Sequence, residues 1–156
     1  MPYQLTKARV FRATAGLCFS LALAGCPAEE ESVDAEACEH LQLGPAVATA
    51  SGETVDDDHR RYDLALNASA NPSGTVSFAS TADGHYFVFL NENVPLTVRL
   101  GTTDVAAEAT QTGSSECTEI AVRHEYPLAV GTYQLVFGQT SETAVSIVIE
   151  PEHEAH

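Results

Sequence analysis

The chain has 156 residues, with 7 basic against 22 acidic side chains and a formal net charge of −15. That balance repels nucleic acid and anionic surfaces, which excludes nucleic-acid binding. The single Met excludes a Met-rich copper(I) site, while 44 % hydrophobic residues are enough for one small buried core.

The first element is a targeting segment. Lys7, Arg9 and Arg12 form a positive start, and Ala13 to Ala22 form an apolar run through Leu17, Phe19 and Leu21. This pattern reads as a secretory signal. The run is too short to cross a bilayer, which takes about 20 apolar residues. Directly after it stands Leu23-Ala24-Gly25-Cys26, which resembles the lipobox of bacterial lipoproteins. The resemblance implies that residues 1–25 are a lipoprotein signal peptide and that Cys26 opens the mature chain, carrying acyl chains such as palmitate. It also implies that the bilayer is a partner through those chains, at about 0.8 kcal/mol per buried CH₂. Pro27 stands where Asp would retain an enterobacterial lipoprotein in the inner membrane, so the implied location is outside the cytoplasm, on the outer membrane facing the periplasm or beyond. The plainer alternative is a secreted protein cleaved near Ala22-Leu23-Ala24, with Cys26 an ordinary thiol.

Removal of the signal leaves Arg60, Arg61, Arg99 and Arg123 as the only basic side chains, with no Lys. It also sorts the four Cys. Cys18 leaves with the signal and Cys26 takes the lipid, so Cys38 and Cys117 remain. In an oxidising exported compartment such a pair reads as a disulfide. Closing that loop stabilises the fold by about 4 kcal/mol in the chain-entropy model. Metal ligation or two free thiols are the alternatives.

Residues 26–37 are acidic, with one Val and no aromatics, and read as a solvated tether. Residues 38–151 form one domain, and 152–156 a flexible tail. In the domain, short β-rich runs recur between Gly, Asn, Asp, Ser and Pro. The expected strands are Leu43 to Ser51, Tyr62 to Asn67, Thr75 to Ser80, His85 to Asn91, Pro95 to Leu100, Thr118 to Leu128, Thr132 to Phe137 and Ala144 to Glu150. The polar segment 101–116 reads as a long loop. The fold class is therefore all-β, a single antiparallel β-sandwich of about seven or eight strands, with an immunoglobulin-like or jelly-roll topology. Gly84-His85-Tyr86 and Gly131-Thr132-Tyr133 form a faint repeat. Gly-x-Tyr at a strand start is similar to the tyrosine corner of immunoglobulin-like sandwiches, which implies a buried ring whose hydroxyl bonds backbone upstream.

Few chemistries survive a motif search. A Gly-x-Ser-x-Gly elbow, a P-loop and Gly-x-Gly-x-x-Gly are all absent, so the chain does not read as an enzyme. A carboxylate-based hydrolase is the residual catalytic reading, with no pair to name among so many acids. The six His (40, 59, 85, 124, 153 and 156) stand out beside an absence of Lys in the mature part. Imidazole is the commonest transition-metal ligand, and Asp or Glu can complete its shell. His59 follows Asp56-Asp57-Asp58 at a strand entrance. His124 shares the apolar side of its strand with Ile120, Val122 and Tyr126. His40 lies close to Cys38, His85 reads as packing, and His153 and His156 form an i, i+3 pair in the tail. The favoured reading is a non-catalytic binding or envelope-accessory module on the membrane. A subsidiary proposal within it is divalent metal binding, Zn or Cu(II), through His59 and His124, with His40, His153 or His156 as further candidates. The competing reading is a protein- or glycan-recognition module built on the loops at one end of the sandwich, and it predicts an exposed apolar patch there.

Overall fold

The computed structural model describes residues 32–152. The signal segment, the lipobox with Cys26, the tether up to Glu31, and His153 and His156 lie outside these residues. Among the described residues, one helix, α1 (Val33–Leu43), precedes eleven strands. These are β1 (Ala46–Thr49), β2 (Thr54–Val55), β3 (Arg61–Ala65), β4 (Gly74–Ser80), β5 (Gly84–Leu90), β6 (Leu96–Leu100), β7 (Thr103–Val105), β8 (Ala109–Thr112), β9 (Val122–Leu128), β10 (Gly131–Phe137) and β11 (Ala144–Pro151). One sheet has the order β1-β3-β11-β5-β9-β8, and the other β2-β4-β10-β6-β7. The architecture is an all-β sandwich.

Each of the eight expected strands is present. The sheets are mixed rather than purely antiparallel, since β1 runs parallel to β3 and β2 parallel to β4. The cause is connectivity. From β1 to β4 the chain alternates between the sheets and reverses at each crossing, so alternate strands share a direction. Segment 101–116 is not one loop, because it carries β7 and β8. Every residue of β8 is exposed. An edge strand without a buried face shows no apolar alternation and is held by its backbone ladder.

The main core lies between the sheets and holds Leu64, Val76, Phe78, Tyr86, Val88, Val122, Tyr126, Leu135, Ile147 and Ile149 among others. Both Gly-x-Tyr units behave as their resemblance implied. Tyr86 donates its hydroxyl to the Ala82 carbonyl at 3.1 Å, and Tyr133 donates to the Ala129 carbonyl at 2.9 Å, with both rings buried.

A second, smaller core forms on the outer face of the six-stranded sheet. There α1 lays Ala37 and Leu41 over Phe87, Phe89, Ile120 and Val148. Strands β5 and β11 are therefore covered on both sides, which explains their unbroken apolar runs. The helix corrects the tether reading over its last residues, Val33 to Ala37. Ser32 caps it, accepting from the Ala35 N–H at 3.2 Å, and Asp34 and Glu36 sit in its first turn, favourable at the positive end of the helix dipole. Gly44 ends it, its N–H donating to the Glu39 and His40 carbonyls. A Cβ on Gly44 would lie 2.5 Å from the His40 carbonyl oxygen, so no larger residue fits that approach. An 11-residue helix is marginal alone, and tertiary contacts hold this one. They are the Cys38–Cys117 disulfide, an Asp34–Arg123 ion pair at 2.5 Å, and a 2.7 Å hydrogen bond from Arg61 Nη1 to the Leu41 carbonyl. Among the described residues no helix is long and apolar enough to cross a membrane.

Candidate metal centre

Where α1 crosses β11, three elements bring four potential ligands together. Glu36 and His40 stand four residues apart on α1 and so share one helix face. His59 comes from the turn between β2 and β3, and Glu150 from β11. Each offers one ligand atom, and the four atoms lie within 4.8 Å of one another. Alternation along β11 sends Val145, Ile147 and Ile149 into the sandwich and leaves Val148 and Glu150 facing the helix.

Glu150 is the centre of the group. It is fully buried, and neither carboxylate oxygen has a hydrogen-bond partner. Two imidazoles nevertheless flank it, with His40 Nε2 3.6 Å from Oε1 and His59 Nδ1 3.2 Å from Oε2. The His40 contact is too long for a hydrogen bond and the His59 contact lacks its direction, so both buried acceptor atoms stay unsatisfied. An orphaned buried carboxylate is costly and calls for a partner. Burial, followed by the charges of Glu36, Asp57 and Asp58, pushes the Glu150 carboxyl up to about 8. His59 Nδ1 also lies 3.3 Å from Glu36 Oε1, and the two imidazole rings are 5.2 Å apart.

The turn that delivers His59 is constrained. His59 has φ 57°, the left-handed region that a non-Gly residue enters at a cost of about 1 kcal/mol or more. On its flanks, Asp58 accepts from the Tyr62 hydroxyl at 2.7 Å and pairs with Arg60 at 2.8 Å. Desolvation and that hydrogen bond raise the Tyr62 phenol to about 12. The chain thus holds an imidazole over Glu150 in a conformation that relaxed backbone avoids.

The structure regroups the histidines. His40 and His59 meet, whereas His124 does not join them. As its strand alternation suggested, His124 lies on the inner face of the six-stranded sheet with Val122 and Tyr126, while α1 covers the outer face. Its Nδ1 is 3.0 Å from Thr110 Oγ1, its Nε2 is buried without a partner, and desolvation lowers its pKa. His85 meets Glu125 at 2.9 Å and Glu108 at 3.4 Å on the outer face, a half-exposed cluster that the packing reading overlooked. Near it Asp83, Gly84, Pro127, Leu128 and Ala129 line an open depression of about 390 Å³. Glu36 and Glu150 are the candidate ligands that sequence reasoning missed. Glu36-x-x-x-His40 was a usable signal, but only on a helix. Glu150 was concealed in a strand whose neighbours are apolar. The thiols cannot serve any metal, because Cys38 and Cys117 form the expected disulfide.

No protein-family model matches the chain, and no curated protein matches it. Among solved structures, it is similar to PliG of Salmonella Typhimurium, a periplasmic lysozyme inhibitor of g-type lysozyme, at 17 % identity. The match covers 64 % of this chain and 100 % of that one, with a TM-score of 0.36. A likeness of that size carries neither fold nor function from one chain to the other.

Proposed function

We propose that the protein is an exported, lipid-anchored, non-catalytic module that binds a divalent transition metal through Glu36, His40, His59 and Glu150. The observation that carries this reading is the convergence of two imidazoles and a second carboxylate on the buried, hydrogen-bond-free Glu150. Nitrogen and carboxylate donors of this kind suit Zn or Cu(II), not a soft ion. The Cys38–Cys117 disulfide supports an oxidising compartment, in keeping with export. Catalysis by Glu36 and Glu150 as a carboxylate pair is disfavoured, because Glu150 is 0 % exposed and no substrate reaches it.

Titration calorimetry of the purified protein with zinc tests the reading. We expect one equivalent bound at micromolar Kd or tighter, lost in His40→Ala and His59→Ala and retained in His124→Ala. Binding weaker than tens of micromolar, or binding indifferent to His40 and His59, overturns it.

A second reading, recognition of a protein, rests on Leu100 and Val130, which are 48 % and 64 % exposed. Both stand near Gly131, beside the depression lined by Leu128 and Ala129. It requires a partner cross-linked in native envelopes and released by Val130→Asp; metal removal leaves that partner in place.

A further inference from the structure

Resting on that metal reading, we infer that the centre is a closed, four-coordinate zinc site that clamps α1 to the six-stranded sheet. The argument is one of donor spacing. An ion with metal–donor bonds of about 2.0–2.1 Å separates its ligand atoms by about 3.3 Å when tetrahedral. In square-planar or octahedral geometry, neighbouring donors at the same bond length are only about 2.9 Å apart. His59 Nδ1 lies 3.2 Å from Glu150 Oε2 and 3.3 Å from Glu36 Oε1, while His40 Nε2 lies 3.6 Å from the other Glu150 oxygen, Oε1. The two contacts of His59 Nδ1, which share one donor set, match the tetrahedral separation, and His40 Nε2 stands within 4.8 Å of that set as its fourth donor.

Donor chemistry points the same way. Two nitrogens and two carboxylates suit zinc, whereas calcium and magnesium prefer shells of oxygen alone. Sulfur is withheld by the disulfide, which removes the ligand that would favour copper(I). Four protein donors leave no coordination position for a substrate, and closed sites of this kind are structural rather than catalytic. The ligands also join parts of the chain far apart in sequence, two on α1, one before β3 and one on β11. An ion at their midpoint therefore ties the helix to the sheet at a further place, beside the Cys38–Cys117 disulfide, the Asp34–Arg123 pair and the Arg61–Leu41 hydrogen bond.

Cobalt(II) substitution in the full chain reads the geometry directly. Four-coordinate Co(II) gives intense visible d–d bands, and six-coordinate Co(II) gives weak ones. We expect intense bands saturating at one equivalent, bleached by zinc and absent from His59→Ala. Glu36→Gln, a near-isosteric change at a partly exposed helix position, guards against misfolding as the cause, and circular dichroism of each variant confirms its fold. Weak bands from a bound Co(II), or intense bands that survive both substitutions, overturn the tetrahedral assignment and leave metal binding itself intact. Failure to bind either zinc or cobalt overturns the metal reading and this inference together.

Discussion

At the scale of single residues, Glu150 sets the electrostatics of the centre. Its carboxyl stays protonated up to about pH 8 in the folded chain and titrates near 4.5 when solvated. Between those values the folded state holds a proton that the unfolded state has released. Metal-free stability therefore declines as pH rises through this window and levels off above it. Urea unfolding in chelator, at pH 5 and pH 8, checks the sign. Glu150→Gln has no proton to lose, so its stability relative to the native chain should improve by a few kcal/mol across that range, at about 1.4 kcal/mol for each pH step. With saturating zinc the native chain should show the opposite trend, because the ion replaces the proton on Glu150 and binds better as pH rises. A native chain whose metal-free stability climbs in step with the variant's would contradict the burial argument.

At the scale of elements, α1 is the piece on which the site depends. It carries two of the four proposed ligands, and its own propensity is too weak to keep an 11-residue helix folded without docking. The cross-link between Cys38 and Cys117 spans 79 residues and contributes about 4–5 kcal/mol in the chain-entropy model. Replacing both by Ser should cost the domain stability of that order. Zinc affinity should weaken at least tenfold, since His40 lies two residues from the lost tie. Denaturant melts and calorimetry of the double variant measure the two effects separately. Unchanged affinity would mean that Ala37, Leu41 and the Asp34–Arg123 pair dock the helix unaided.

At the scale of the whole molecule, the acidic chain and its proposed placement in the cell go together. On the proposed cleavage after residue 25, four arginines would stand against 22 acidic residues, a balance that repels nucleic acid and anionic headgroups. On the proposed anchor, membrane association comes from acyl chains on Cys26 and not from surface charge. Fractionation of the native protein should find it with membranes, and Cys26→Ser should shift it to the soluble fraction or block its maturation. Mass spectrometry should find an acylated first residue at position 26. An unmodified thiol there would remove the anchor without touching the domain.

What could be read from the chain alone was what depends on neighbours in sequence. Strand alternation located all eight principal strands, the two Gly-x-Tyr units marked the buried Tyr86 and Tyr133, and counting cysteines paired Cys38 with Cys117. The helix escaped because Val33 to Leu43 sits at the junction of an acidic stretch and the domain, and only three of its residues are buried, one of them Asp34. Strands β7 and β8 escaped because exposed edges need no apolar pattern. The site was half visible. His40 and His59 were candidates, but only the fold could choose them over His124, by setting them on the helix-covered face and His124 on the other. Ligand convergence is a matter of distance in space between residues up to 114 positions apart, Glu36 and Glu150. Local periodicity carries no information about that distance, and the crossing of α1 over β11 supplies it.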